Sequence, residues 1–224
     1  MLVKDFITKE IPVLKSSDKG KYALELMDDY KVRHLPWLVE DLGTYQALVS
    51  EKSLLAAADL SLTLAELNPA DCWSVHPDAL FPDAVDIMSR HNLSLLPVVG
   101  EKAEYQGVLT QEKAFQVLAL YSQMESAGCV ITLRIAPIDY SVSEIARILE
   151  SNHAILLSLL STTLEPDGYL EVVLKINLED PSAVIRSFER FNYTVTDISA
   201  KENLTGEIFQ QRINEFIHYL SLIH

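Results

Sequence analysis

A guanidinium and an imidazole stand side by side at Arg33-His34, directly before the apolar run 35–39. The planar fork of an arginine matches phosphate oxygens in both geometry and charge. The pair therefore predicts a phosphate-binding position. A solvated loop end is the alternative interpretation, because the corresponding pair 61 residues later is Ser94-Leu95.

Other residues that could carry chemistry are scattered along the chain. The six histidines show no metal-ligand spacing, either with one another or beside a cysteine. No phosphate-binding glycine loop, nucleophile elbow or dinucleotide-binding glycine fingerprint occurs. We therefore expect a protein without a metal site and without enzymatic activity.

The composition of the chain excludes some kinds of binding partner. The chain has 224 residues, 49% of them hydrophobic, and a formal net charge of −14. Nucleic-acid binding and binding to anionic membranes both need clustered Lys and Arg, and no such cluster is present. No apolar stretch reaches the roughly 18 residues that cross a bilayer. Two cysteines, Cys72 and Cys129, make no disulfide framework, so a cytoplasmic location is expected.

The elements that position Arg33 and His34 belong to an internal repeat. Apolar residues at helix spacing recur 61 residues later: Ala23, Leu26, Met27 and Tyr30 return as Ala84, Ile87, Met88 and His91. Past one deleted turn residue, 45–50 (YQALVS) returns as 105–110 (YQGVLT). Such a duplication predicts a pseudo-two-fold body with clefts between its halves.

Each repeat predicts a short strand, a helix, two strands and a second helix. In repeat one the short strand is Ile11–Leu14, and Ser17 is the expected N-cap of the helix that follows. Asp78 takes the corresponding N-cap place in repeat two. The paired strands of repeat two are expected at Leu96–Val99 and Tyr105–Leu109.

The runs 32–39 with 47–50, and 93–99 with 107–110, resemble a pair of CBS (cystathionine β-synthase) domains over about residues 1–122. The resemblance implies an adenosine-type nucleotide as the candidate ligand. In nucleotide-binding repeats the pattern ends Gly-apolar-x-Ser/Thr-x-x-Asp, where the hydroxyl supports phosphate and sugar and the Asp accepts from the ribose. The hydroxyl positions here hold Ser50 and Thr110, but the Asp positions hold Ser53 and Lys113.

The nucleotide-binding pattern also favours one of the two clefts over the other. Repeat two keeps the glycine as Gly107, whereas repeat one has Ala47. If a nucleotide binds, it is therefore expected in the repeat-two cleft, near Gly107 and Thr110 and without a carboxylate contact from residue 113. The candidate ligand-binding residues are Arg33, His34, Ser50, Ser94, Gly107 and Thr110.

The second half of the chain has a different order of elements. Residues 129–200 read βαββαβ, the ferredoxin-like order, and behind a CBS pair this resembles an ACT domain, the amino-acid-sensing module. Asp139 stands where that family carries an acidic residue, but no glycine accompanies it. A domain kept for dimerisation is thus favoured over an amino-acid site.

The last predicted element is an amphipathic helix within residues 203–224, whose stripe is expected to pack within a homo-oligomer. The expected fold class is α/β and α+β: a tandem CBS pair (repeats of about 1–60 and 61–122), an ACT-like domain and this helix. The expected function is a regulator that senses a small molecule as a homodimer or higher oligomer and acts on an unidentified protein partner. A ligand-free scaffold is the alternative.

Overall fold

The computed structural model describes residues 1–39, 43–68, 71–164 and 166–200, and its chain divides into two compact units, Met1–Val117 and Leu118–His224. The helix predicted within 203–224 lies outside the described residues. Each unit is considered by itself below.

The first unit contains the repeat as two series of helices and strands. Repeat one supplies α1 (Gly20–Asp29), β1 (His34–Val39), β2 (Thr44–Ser50) and α2 (Glu51–Leu55). Repeat two supplies α3 (Leu64–Leu67), α4 (Phe81–Arg90), β3 (Leu95–Val99), β4 (Tyr105–Thr110) and α5 (Gln111–Tyr121). A 3₁₀ turn at Val3–Phe6 precedes them.

The two hairpins have the same register. Pro36 lies opposite Leu48 in β1–β2, and Pro97 lies opposite Val108 in β3–β4. Both pairings shift by one residue just after these positions. A bulge at the same place in both hairpins shows that they repeat one backbone design. The predicted tandem repeat is therefore confirmed.

The repeats exchange their leading segments, which are the residues around Val3 in repeat one and around Leu64 in repeat two. The Leu64 N–H donates to the Asp18 carbonyl across 2.8 Å, and the Val3 N–H donates to the Ala79 carbonyl across 3.0 Å. Leu64 belongs to repeat two, whereas Asp18 precedes α1 of repeat one. Val3 belongs to repeat one, whereas Ala79 precedes α4 of repeat two. Val3 and Leu64 are both fully buried. Each repeat therefore completes the hydrophobic core of the other.

This exchange explains why the predicted N-caps of two helices were wrong. The N-caps of α1 and α4 are Lys19 and Leu80, not Ser17 and Asp78. The chain stays extended before each helix because its carbonyl groups accept hydrogen bonds from the other repeat's leading segment. Asp78 instead forms an ion pair with Lys4.

The short strand predicted at Ile11–Leu14 reduces to a single parallel bridge between Leu14 and Trp37. Repeat two has the matching bridge between Val75 and Val98. Both bridges bring an apolar residue onto the first strand of a hairpin, where it is buried. The first unit thus builds one apolar cluster around each hairpin.

The second unit is a four-stranded antiparallel sheet with two helices. Its elements are β5 (Cys129–Ile135), α6 (Val142–Ser151), β6 (Leu156–Thr163), β7 (Leu170–Ile176), α7 (Ser182–Arg190) and β8 (Thr194–Ala200). The strand order is β6-β7-β5-β8, which is the ferredoxin-like arrangement.

One face of this sheet carries the core. Alternate residues of β5 and β7, such as Ile131, Leu133 and Leu174, are fully buried with Ile145 of α6 and Phe188 of α7. The intervening residues of the same strands lie on the other face, as the period of two requires. The mixed α/β and α+β class predicted from the sequence is confirmed.

Candidate functional site

A cavity of about 540 Å³ lies in the first unit, between the end of the first hairpin and the end of α4. Both repeats contribute to its wall. Its lining residues are Arg33, His34, Leu48, Ser50, Glu51, Lys52, Leu55, Asp71, Trp73, His91, Asn92 and Leu93. We refer to this cavity as the repeat-one cleft.

Arg33 and His34 are held at the start of β1 by polar groups of repeat two. The Arg33 backbone N–H donates to Ser94 Oγ across 3.0 Å, and its Nη2 donates to Asn92 Oδ1 across 3.2 Å. His34 Nδ1 accepts the backbone N–H of Ser94 across 3.2 Å. The Arg33 side chain thus lines the cleft with one hydrogen bond to repeat two, while it stays exposed to solvent.

The hydrogen bond at Nδ1 identifies the form of the His34 ring. A nitrogen that accepts from a backbone N–H carries no proton, so the ring is neutral with its proton on Nε2. Burial lowers the pKa of His34 below its ordinary value, the nearby Arg33 charge lowers it further, and Asp71 partly opposes both. His34 is thus a neutral wall of the cleft at physiological pH.

Two aromatic rings form another part of the wall. The rings of Trp73 and His91 are stacked, with centroids 3.5 Å apart and planes 24° from parallel. The Tyr45 hydroxyl donates to the Trp73 carbonyl across 2.8 Å, which fixes the segment that carries the indole. Trp73 remains 38% exposed, so part of its surface is available to a ligand.

The two hydroxyl residues serve as helix caps. Ser50 Oγ accepts the Ser53 N–H across 3.1 Å at the start of α2, and Thr110 Oγ1 accepts the Lys113 N–H across 3.1 Å at the start of α5. Each oxygen satisfies a backbone donor that has no partner within its helix. Their hydroxyl protons can still be donated to a ligand.

Gly107 has a packing role of its own. Its φ is +145°, and a Cβ at this position would lie 2.7 Å from the Thr8 carbonyl oxygen. The leading segment of repeat one crosses β4 here, where Thr8 exchanges two backbone hydrogen bonds with Val108. The absence of a side chain at Gly107 is thus required by the neighbouring backbone.

The structure brings together some of the predicted site residues. Arg33, His34 and Ser50 line the repeat-one cleft, and buried Ser94 lies directly behind them. Gly107 and Thr110 are not among its lining residues. The cleft also contains Trp73, His91, Lys52 and Asp71, which were not predicted from the sequence. The signal available for His91 was its place in the repeat, since the matching Tyr30 closes the equivalent helix.

The second unit has a cavity of about 570 Å³ at the junction of β5 and α6, near the start of β8. Arg134, Asp139 and Glu144 line it, but two of these are engaged. Arg134 pairs with Asp167 and lies over the Tyr169 ring, and Glu144 accepts from the Tyr193 hydroxyl. Burial and the bond to Glu144 raise the pKa of Tyr193 to about 12.

Two kinds of feature are absent from the described part of the chain. Within it, His, Cys, Asp and Glu nowhere gather in a group of three or more that could hold a metal ion. Nor does any helix there have the length and apolar character needed to span a bilayer.

The chain is similar in sequence to curated proteins of known name. A homoserine O-acetyltransferase from Methanocorpusculum labreanum is 30% identical over 114 residues, which are 50% of this chain and 23% of that protein. The chain thus spans less than a quarter of the curated relatives it matches first.

Two solved structures are also similar. A CBS domain pair/ACT domain protein from Thermotoga maritima is 22% identical with a TM-score of 0.47, covering 54% of this chain and 98% of that one. A protein from Vibrio cholerae that is described as an acetoin utilization protein is 26% identical with a TM-score of 0.48. The similarity covers 56% of this chain and 97% of that one.

A family model settles the assignment. The CBS domain model matches the chain twice, at residues 3–59 and 66–120, which together make up half of its 224 residues. These two ranges are the two repeats that exchange their leading segments. The protein belongs to the CBS domain family.

Proposed function

We propose that this protein is a non-enzymatic regulator whose repeat-one cleft binds a small anionic molecule with a planar ring, an adenosine-type nucleotide being the candidate class. Binding would change the relative geometry of the two repeats, and a protein partner would respond to that geometry. The observation that carries the proposal is the meeting of Arg33 and Lys52 with the Trp73–His91 stack in one cleft.

The cleft has suitable chemistry for such a ligand. Its volume of about 540 Å³ falls in the range of small-molecule sites. The indole face offers a stacking surface for a purine, and the two cations offer charge for a phosphate. Asp71 adds a carboxylate from repeat two that could accept from ribose hydroxyls, a role for which the family position holds Ser53.

Charge favours the repeat-one cleft over its counterpart. At the positions equivalent to Arg33, Lys52 and His91, the other cleft has Ser94, Glu112 and Tyr30. Both cations are thus replaced, one of them by an acid, which disfavours a phosphate at these positions. Against this, Lys113 replaces Ser53 in repeat two, and Glu51 and Asp71 line the repeat-one cleft beside its cations. The family pattern favours the repeat-two cleft through Gly107 and Thr110. Since Gly107 is explained by its contact with Thr8, we give charge the greater weight.

The position of the cleft provides a route for a signal. Its wall contains residues of repeat one, such as Arg33 and Lys52, and residues of repeat two, such as Trp73 and His91, so one ligand would contact both repeats. The bonds from Ser94 and Asn92 to Arg33 and His34 already join the repeats at this point. A ligand that moves Arg33 would therefore act on repeat two directly.

We propose that the second unit is an ACT-like domain kept for dimerisation. Two of the charged residues around its cavity already have partners, Arg134 in Asp167 and Glu144 in the Tyr193 hydroxyl. Binding an amino acid there would require breaking these pairs. The regulator would accordingly be a cytoplasmic homodimer.

The test uses thermal shift followed by isothermal titration with AMP, ATP, NAD and S-adenosylmethionine. A ligand raises the melting temperature only when it prefers the folded state. We expect one site per chain, with Arg33→Ala weakening affinity at least about tenfold, as for loss of a charge-assisted hydrogen bond. Trp73→Ala should weaken it similarly.

Thr110→Val is the matched control in the other cleft and should leave the affinity unchanged. If Thr110→Val removes binding and Arg33→Ala does not, the ligand occupies the repeat-two cleft and our assignment is wrong.

A ligand-free scaffold is the second candidate function. It is favoured by Ser53 and Lys113, which replace the ribose-binding carboxylate of both repeats. This function would be supported if no compound in the screen shifts the melting temperature while the protein still forms an oligomer.

A further inference from the structure

One face of the second unit's sheet carries both α6 and α7. Ile145 of α6 and Phe188 of α7 pack there against Ile131 and Leu174 of the strands. The alternate residues of the four strands form the opposite face, which we call the open face. Its residues lie beside one another in three rows across the sheet, which are Ser158-Lys175-Val130-Ser199, Leu160-Val173-Thr132-Asp197 and Thr162-Glu171-Arg134-Thr194. Neither α6 nor α7 can cover these residues.

The open face has an apolar centre that is partly accessible. Leu160 lies beside Val173 on the neighbouring strand, and Val130 lies in the adjacent row. Leu160 is 51% exposed, while Val130 and Val173 are half-buried. An antiparallel sheet can leave one face to water when that face is polar. Three apolar side chains at the centre of the face therefore indicate a further element that covers them.

One residue of the open face carries a charge that is almost fully buried. Lys175 is only 6% exposed, and its ammonium group donates to the Gly128 carbonyl across 3.2 Å. An ammonium group has three N–H donors, and none of the ion pairs in the described part of the chain includes Lys175. A buried charge without an opposite charge is costly to the folded state. A carboxylate brought to Lys175 would therefore stabilise this unit.

The residues after β8 can supply both the covering surface and the carboxylate. Strand β8 ends at Ala200, opposite Cys129 and next to the row that contains Lys175. Residues 201–224 lie outside the described part of the chain, and their sequence includes an acid at Glu207. The apolar stripe at helix spacing that follows this acid consists of Phe209, Ile213, Phe216 and Leu220.

The dimensions of the sheet and of this segment agree. Lys175 lies two strands away from β8, which is about 10 Å at the usual strand spacing. The six residues 201–206 span up to about 20 Å when extended, so they can bring Glu207 to Lys175. A helix of residues 207–222 would be about 24 Å long, and the seven residues of β7 span about 23 Å.

We propose that residues 201–224 fold back over the open face of their own sheet. The stripe covers Leu160, Val173 and Val130, and the Glu207 carboxylate pairs with Lys175. The sequence alone favours packing of this stripe within a homo-oligomer, but the end of β8 beside the open face favours the segment's own chain. A tethered segment meets its sheet at a high effective concentration, whereas two copies of net charge −14 repel each other. This inference does not depend on ligand binding in the first unit.

The first test is a cross-link within one chain. Full-length protein carrying Cys72→Ser, Val173→Cys and Ile213→Cys is treated with a short bismaleimide, and peptide mass spectrometry identifies the product. Cys129 is fully buried and should not react. We expect a link between residues 173 and 213 of the same chain. The matched control replaces Ile213→Cys with Glu215→Cys, which lies off the stripe, and should give much less product.

The second test is a double-mutant cycle on the proposed ion pair, measured by urea unfolding of the full chain. Glu207→Gln should lower the ratio of folded to unfolded protein at least about tenfold, because it leaves a buried ammonium without its partner. The same change should have little effect in the Lys175→Met background, where no charge needs a partner. Glu215→Gln is the control and should leave both backgrounds unchanged.

Two results would overturn the proposal. In the first, Ile213→Cys and Glu215→Cys cross-link to residue 173 equally, or Glu207→Gln is equally destabilising with and without Lys175. In the second, a mixture of isotope-labelled and unlabelled protein gives links mainly between labelled and unlabelled chains, which would assign the open face to the segment of a second copy. Circular dichroism of Lys175→Met verifies folding, and the cross-link does not require that variant.

Discussion

At the scale of single residues, Ser94 is where the polar groups of the two repeats meet. It is nearly buried, its hydroxyl accepts the Arg33 N–H, and its own N–H is donated to His34 Nδ1. Protonating His34 would place an N–H against the Ser94 N–H and break this bond. The contact between the repeats therefore depends on a neutral imidazole.

His34 should contribute a pH dependence to stability. Because its folded-state pKa lies below the ordinary 6.5, the unfolded chain binds the proton more readily. The free energy of unfolding should therefore fall as pH drops from about 6.5 towards the lower folded pKa, with no contribution from His34 above 6.5. His34→Asn, which keeps an acceptor without titrating, should show a weaker decline in urea unfolding between pH 7.5 and 5. Identical declines would contradict this account.

Gly107 should be intolerant of any side chain. Gly107→Ala forces a Cβ against the Thr8 carbonyl at an unfavourable φ, and we expect a loss of about 1–3 kcal/mol in the free energy of unfolding. Ala47→Gly at the equivalent position of repeat one is the control and should cost only about 0.5–1 kcal/mol. Urea titration measures both. Equal stability of Gly107→Ala and wild type would mean that the Thr8 segment can move.

Residues of the cleft show what a sequence can and cannot reveal at this scale. Arg33 and His34 could be found because two polar residues directly precede an apolar run that the sequence contains twice. Trp73 could not, because the position 61 residues earlier holds Pro12, so the repeat offers the indole no counterpart. Its contact with His91 joins two separate segments of repeat two and arises only when that repeat folds.

At the scale of elements, the hairpins were predictable because each strand is a nearly continuous apolar run at a constant spacing. The starts of α1 and α4 were not. A local rule selects Ser17 and Asp78, but the preceding carbonyl groups are engaged by distant segments that no local pattern contains. Tertiary hydrogen bonding therefore overrode capping preference at both helices.

The caps that the structure does contain should be measurable. Ser50→Ala and Thr110→Ala each remove an oxygen that accepts a helix N–H, and each should lower the free energy of unfolding by about 1 kcal/mol. Thr110→Ser retains the oxygen and should restore most of the loss, as judged by urea titration. If Thr110→Ser is as unstable as Thr110→Ala, the methyl group rather than the cap stabilises α5.

At the scale of the whole molecule, the exchange of leading segments makes the two repeats one folding unit. We expect a fragment of residues 1–122 to unfold cooperatively, because it contains both hairpins and both exchanged segments. A fragment of residues 1–60 lacks the Leu64 segment and should remain unfolded, as monitored by circular dichroism and amide hydrogen exchange. A monomeric 1–60 fragment with a sigmoidal melting curve would show that one repeat is self-sufficient.

The exchanged segments also impose an order on burial during synthesis. Residues 2–8 leave the ribosome ahead of both hairpins, yet Val3 and Thr8 bond to Ala79 and Val108 of repeat two. Translation proceeds at only about 5–20 residues per second. For the several seconds that separate Val3 from Val108, an apolar segment with no place to pack must wait in solution. The first part of the CBS pair to be made is thus among the last to be buried, which makes it a natural binding site for a chaperone on the nascent chain.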